Sequence, residues 1–87
     1  MIGNLENRIR HLAARFRSRL SSDRLDQVID YIDHNECGLA LEMLCDFLED
    51  EEVTIVVEEY DEIIHLAGAM RLDQSSGRYA DLHRRQG

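Results

Sequence analysis

Asp30, His34 and Cys37 stand four and three residues apart, a donor set that one continuous helix would turn to a single side and that a zinc ion could accept. Asn35, a helix-capping residue type, falls inside the set, and the helix boundary it predicts separates the three side chains, so no metal site is assigned. The acid-rich run from Asp46 to Glu52 has the composition of a calcium loop. However, Phe47 and Leu48 occupy positions such a loop keeps polar, and the glycine that makes its sharp turn is missing. Cys37 and Cys45 are eight apart; on one helix their Cα atoms would be about 12 Å apart, beyond disulfide reach, which predicts two buried thiols. The chain has no phosphate-cradling glycine loop, HExxH pair, CxxC motif or nucleophile elbow, and it lacks the Asp-Ser-Leu attachment motif of acyl carrier proteins. The sequence therefore offers no catalytic, cofactor-binding or metal-binding residue.

Charge remains as the chemistry to explain. Between Asp23 and Glu62 there are fifteen carboxylates and one cation, Arg24, a local charge of −14. Residues 1–22 are +4 and residues 63–87 are +2, and the three blocks sum to the net −8 of the 87-residue chain. Self-repulsion of this size opposes compactness, which points to a positively charged partner for the central segment and gives no footprint for direct nucleic-acid binding. Asp23, Asp26, Asp30 and Asp33 step by three, four and three, along one edge of a helix, where like charges cost a few tenths of a kcal/mol per pair. Glu49-Asp50-Glu51-Glu52 closes a helix at the end where the dipole favours cations. Glu58, Glu59, Asp61 and Glu62 open a helix, where acids suit the dipole, so that group is partly explained without any partner.

The elements that carry these acids are helical. Leu5, Ile9, Leu12, Phe16 and Leu20 form one amphipathic stripe, with Arg8, Arg10, Arg15, Arg17 and Arg19 on its outer side as a solvated, dipole-matched face. Ser21-Ser22-Asp23 supplies a cap for a second helix with Leu25, Val28, Ile29 and Ile32 inward, ending near His34. Asn35 caps a third helix to about Asp50, burying Leu39 or Ala40, Met43, Leu44, Phe47 and Leu48. The β-branched run Val53-Thr54-Ile55-Val56-Val57 has no partner strand in the sequence, so it reads as an extended connection with Ile55 tucked inward. A fourth helix follows from about Val57 to Met70, with Tyr60, Ile63, Ile64, Ala67 and Met70 inward.

These elements predict an all-α protein: a small four-helix bundle in one domain, residues 1–72, with room for a short extra helical turn near the C-terminus. Residues 73–87 form a polar tail, mobile or docked through Tyr79 and Leu82. A core of this size leaves only a few kcal/mol of net stability. The first six residues already reach charge, with no apolar run suited to a secretory signal or a membrane span, which leads to the expectation of a cytoplasmic protein.

The run Tyr31-Ile32-Asp33-His34-Asn35-Glu36-Cys37-Gly38-Leu39-Ala40-Leu41-Glu42-Met43-Leu44-Cys45-Asp46-Phe47-Leu48-Glu49, followed by Ile55, Glu58-Glu59-Tyr60 and Ile63-Ile64-His65-Leu66-Ala67, resembles the MafI family of bacterial immunity proteins. The similarity spans about half of the chain. It differs at Val56, where that family favours a helix-capping serine or threonine, and in the tail from Asp73. The resemblance implies a small protein encoded beside a polymorphic secreted or contact-delivered toxin, often a nuclease, which it binds and neutralises in the producing cell.

An acidic protein can occupy the basic phosphate groove of a nuclease or dock beside it, and long-range attraction raises association toward about 10⁸ M⁻¹s⁻¹ at low salt. The residues expected to form the partner-binding surface are Asp30, Asp33, Glu42, Asp46, Glu49, Asp50, Glu51, Glu52, Glu58, Glu59 and Glu62. The expected partner is a basic cognate toxin domain, with no nucleic acid or membrane contacted directly and with monomer and homodimer both open. The same composition also suits an acidic helical adaptor or structural interaction module, whose solvated acids serve solubility, and a DNA mimic that regulates a host DNA-binding protein.

Overall fold

Spacing of apolar residues at three and four sets five helices in the computed structural model, which describes residues 2–74, 77–83 and 85–86, without the side chains of residues 2–4. They are α1 (Ile2–Arg15), α2 (Ser22–Asp33), α3 (Cys37–Asp50), α4 (Val57–Ala69) and α5 (Gly77–His83). The protein is all-α, and it measures 31 × 28 × 19 Å. Helix α3 is the centre: it packs against each of the other four, whereas α2 and α4 both rest on α1 and α3 without touching one another. Its inward residues Ala40, Leu41, Leu44, Cys45 and Leu48 are all inaccessible to solvent. Around them close Ile9, Leu12 and Phe16 from the α1 side, Val28 and Ile32 from α2, Ile63, Leu66 and Ala67 from α4, and Leu82 from α5. No helix among the described residues is long and apolar enough to cross a membrane.

The apolar stripe of the first segment outlasts its helix. Helix α1 stops at Arg15, and a tight turn follows in which the Arg19 and Leu20 N–H groups both donate to the Phe16 carbonyl, at 2.9 and 2.8 Å. Phe16 and Leu20 are nevertheless buried, because the turn keeps them on the side the helix had established. The C-terminal tail is docked over its described part: Tyr79 and Leu82 are buried, and the Ile55 N–H donates to the Arg85 carbonyl at 3.0 Å. That bond accompanies an isolated parallel bridge between Ile55 and Gln86, so the extended connection does find a strand-like neighbour, in the one segment that sequence periodicity could not orient.

Helix endings depart from the expected chemistry in a consistent way. Asn35 does not cap α3. It adopts the left-handed conformation, φ 64°, just after α2, with its N–H on the Ile32 carbonyl at 3.1 Å and the Glu36 N–H on the Tyr31 carbonyl at 2.8 Å. This is the double bond of a Schellman ending. Glu52 (φ 54°) closes α3 through Glu52 to Glu49 and Val53 to Leu48, and Arg71 (φ 58°) closes α4 through Arg71 to Gly68 and Leu72 to Ala67. Three helices thus end on a motif that ordinarily uses glycine, and none of the three residues is glycine.

A left-handed conformation costs a residue with a Cβ roughly 1–2 kcal/mol, and asparagine escapes part of this through local hydrogen bonding. Arg71 is exposed and has no ion pair among the described residues, so its cost is uncompensated. Arg71→Gly is expected to raise the unfolding free energy by about 0.5–1 kcal/mol in urea titrations, net of the added freedom of the unfolded chain, and Asn35→Gly by clearly less. Equal effects of the two substitutions would contradict this account.

Candidate functional site

Every cation of this chain is arginine, and nearly every described arginine lies on a seam between helices. On the α1–α4 seam Arg8 grips Glu62 with two bonds, Nε at 3.0 Å and Nη2 at 2.8 Å. One turn along, the Glu59 carboxylate accepts from Arg15 Nε at 2.9 Å and from Arg19 Nη1 and Nη2 at 3.0 and 2.6 Å. Arg10 bridges Glu6 on its own helix and Asp33 at the end of α2. Between α2 and α3, Arg24 meets Asp50 at 2.6 Å and Glu51 at 3.5 Å and lies over the Phe47 ring. The Ser21 N–H and hydroxyl both donate to Glu51, at 3.0 and 2.8 Å. On the α3–α5 side Arg78 reaches Glu42 and Asp46, and Arg85 takes Glu49 with two bonds and stands 4.0 Å from Glu52.

The eleven carboxylates expected to form one partner surface are therefore not assembled into one face. Glu42, Asp46 and Glu49 line the α3–α5 side; Asp50 and Glu51 face Arg24; Asp33 faces Arg10; Glu59 and Glu62 face α1. The run from Glu49 to Glu52, which opposes the α3 dipole, has internal partners along its whole length, so the fold itself answers a charge that had seemed to require a second protein.

Glu59 is the clear correction. It was expected on the partner surface, and its side chain is 1% exposed. Placed at the third position of α4, it lies four residues before Ile63 and seven before Leu66, on the stripe that faces the core. There its carboxylate also accepts the Val56 N–H at 3.0 Å, which is half of a capping box; valine has no acceptor to supply the other half. Burial alone would raise its pKa, yet the bonds from Arg19, the Val56 N–H and Arg15 outweigh burial and hold the carboxyl below its ordinary range. The signal was present in the sequence, an acid at the capping-box position of a helix whose first residue is apolar.

After internal pairing, five described carboxylates make no ion pair: Asp23 and Asp26 on α2, Glu36 before α3, and Glu58 and Asp61 on α4. Asp30 has only His34, 3.6 Å away and exposed. Of these, Asp30 and Glu58 were among the expected site residues, while Asp61 was not. Among the described residues, the exposed large apolar side chains are Leu39, Val56 and Val57. Both thiols are free, and burial pushes the pKa of Cys45 far up, so it is an inert core group. The Tyr79 hydroxyl, pushed up to about 12 mainly by burial, has no hydrogen-bond partner among the described residues.

Two open clefts flank α4. One of about 450 Å³ is lined by Tyr60, Asp61, His65, Gln74 and Tyr79, and one of about 290 Å³ by Arg8, His11, Arg15, Glu58 and Glu62. Among the described residues no three His, Cys, Asp or Glu side chains are grouped to hold a metal ion. Compared with known proteins, the chain matches no family model, no curated protein and no solved structure.

Because the folded pKa of Glu59 is depressed, its contribution is complete above the unfolded value of about 4.3 and is lost as pH falls through the lower folded value. Glu59→Gln is expected to lower stability by about 1–3 kcal/mol at pH 7, since hydrogen bonds to a charged group are lost. In urea titrations repeated at successively lower pH, the gap from the wild type should narrow as the native carboxylate becomes protonated. A gap independent of pH would show that shape, not charge, is what Glu59 contributes.

Proposed function

We propose that this chain is an immunity-type inhibitor that binds a basic toxin domain, in a nuclease-like class, within the cytoplasm of the cell that makes both. The observation that carries this reading is the distribution of charge after folding. The arginines satisfy the acids at the seams, and what remains exposed without an ion pair among the described residues is mostly negative, five acids (Asp23, Asp26, Glu36, Glu58 and Asp61) against two arginines (Arg17 and Arg71). Asp23 suits the dipole at the first turn of α2, but Asp26 and Asp30, along the same helix edge, add like-charge repulsion and do nothing for the stability of α2. These acids do project a negative field that accelerates encounter with a cationic surface and repels nucleic acid. An inhibitor of a toxin must reach it before the toxin reaches its substrate, so a fast encounter is the property such a protein needs. The motif similarity to MafI-family immunity proteins across residues 31–67 supports the same reading.

Co-expression with the toxin domain encoded beside this chain tests it. The expected outcome is a stable complex on a sizing column and survival of cells that the toxin alone kills. The association rate should fall at least about tenfold between 50 and 500 mM salt, since exposed charges are screened over about 10 Å at 0.1 M. Undiminished killing with no complex would refute the proposal.

A further inference from the structure

The α2 edge is polar throughout, with Asp23, Asp26, Gln27 and Asp30 exposed, and a surface of that kind steers a partner without giving it anything to desolvate. Leu39 is a single exposed side chain, 39% accessible, which is ordinary for a protein surface. The start of α4 is different. Val56 and Val57 are adjacent, 39% and 51% exposed, and they occupy the N-cap and first position of the helix. An N-cap is where serine, threonine, aspartate or asparagine would offer a side-chain acceptor to a backbone N–H; valine offers none, and the Glu59 N–H falls back on the Val56 carbonyl at 3.0 Å. The helix is held instead by Glu59 from inside, so the fold tolerates the valine without gaining from it.

Sequence choices that break a local rule with no structural return mark functional positions. The surroundings of this pair are also specific. Glu58 is its immediate neighbour, and Asp61 lies one turn beyond Val57 on the same outer side of α4; both are exposed and neither makes an ion pair. The pair is anchored on both sides, before it by the buried Ile55, whose N–H is bonded to the Arg85 carbonyl, and after it by the buried Glu59, which accepts the Val56 N–H. It is thus a small, rigid apolar knob with acids on one flank, presented without the entropy cost of ordering a loop.

We infer that Val56 and Val57, flanked by Glu58 and Asp61, form the central contact of this protein with its partner, and that the partner's matching surface is an apolar pocket rimmed by arginine or lysine. Charge complementarity selects that occupant: Arg8 and Arg15, which share the cleft with Glu58, are committed to Glu62 and Glu59, so the unpaired charge beside the valines is that of Glu58 and Asp61, which would repel an acidic surface or a second copy of this −8 chain. The inference rests on the inhibitor reading above and refines it, by separating the atoms that are desolvated in the complex from the acids that only attract.

The double variant Val56→Ser, Val57→Ser removes the apolar knob and supplies the missing cap. Its thermal midpoint should be unchanged or raised by about 4 °C. Its affinity for the toxin domain encoded beside this chain should fall about 10–100-fold, chiefly through faster dissociation. Glu58→Gln with Asp61→Asn should instead slow association and flatten its salt dependence. Hydrogen exchange on the wild-type complex gives an independent readout, with protection expected over residues 52–61. If the wild type binds and the double serine variant binds within twofold of it, or if residues 52–61 gain no protection, this contact is wrong while the inhibitor reading survives. If the wild type does not bind at all, both fall.

Discussion

One carboxylate inside the core organises this protein. Glu59 cannot be buried as an ion unless its oxygens are satisfied, and the groups that satisfy it come from three places: Arg15 at the end of α1, Arg19 in the turn after it, and the Val56 backbone N–H at the mouth of α4. Arg19 adds a bond to the Thr54 carbonyl, at 3.0 Å, and packs over the Phe16 ring at 4.5 Å. The angle at which the chain leaves α1, the path of the connection from α3 to α4 and the first turn of α4 are thus fixed by a single charged cluster. Move any of them and a carboxylate is left without partners in an apolar setting, a penalty larger than most single contacts in a domain of this size.

The remaining seams work differently. Their carboxylates are partly or largely exposed, and such pairs contribute roughly 0–1 kcal/mol each. What they supply is register. The chain uses arginine at all ten cationic positions, and the planar fork donates to two carboxylate oxygens at once, as in Arg8 with Glu62, Arg78 with Asp46 and Arg85 with Glu49. A lysine would neutralise the same charge without fixing an orientation. The segregated sequence, arginines at both ends and acids between, is therefore a pairing scheme in which the flanks fold back onto the middle.

That scheme explains what could and could not be seen beforehand. Helices α2, α3 and α4 were legible within a residue or two at most of their ends because their apolar spacing is strong, and the inward position of Ile55 followed from a β-branched run with nowhere else to go. The helix ends were misread at Asn35 because the same residue type serves as an N-cap or as a left-handed C-terminus, and only the tertiary path decides which. Glu52 and Arg71 gave no signal at all, since nothing local favours a left-handed glutamate or arginine. Glu59 is missing from the expected acidic surface for a related reason. Charge per segment is a one-dimensional quantity, and whether an acid faces solvent or an arginine forty residues away, as Glu59 faces Arg19, depends on packing.

Folding thus sorts the acids by function in a way that salt would reveal. Pairs that are bidentate or half-buried keep their geometry when solvent charges are screened, whereas the unpaired acids of α2 and α4 act only through a field that decays within about 8 Å at physiological ionic strength. In the proposed reading, a field of such short range would guide the last approach of a cationic partner and then have little further effect, setting how often it arrives and not how long it stays. Residence depends on removing apolar atoms from water, and on this molecule adjacent exposed apolar side chains coincide with unpaired acids at Val56 and Val57. In the proposed reading that coincidence marks the contact, and serine at the head of α4 would remove its apolar half.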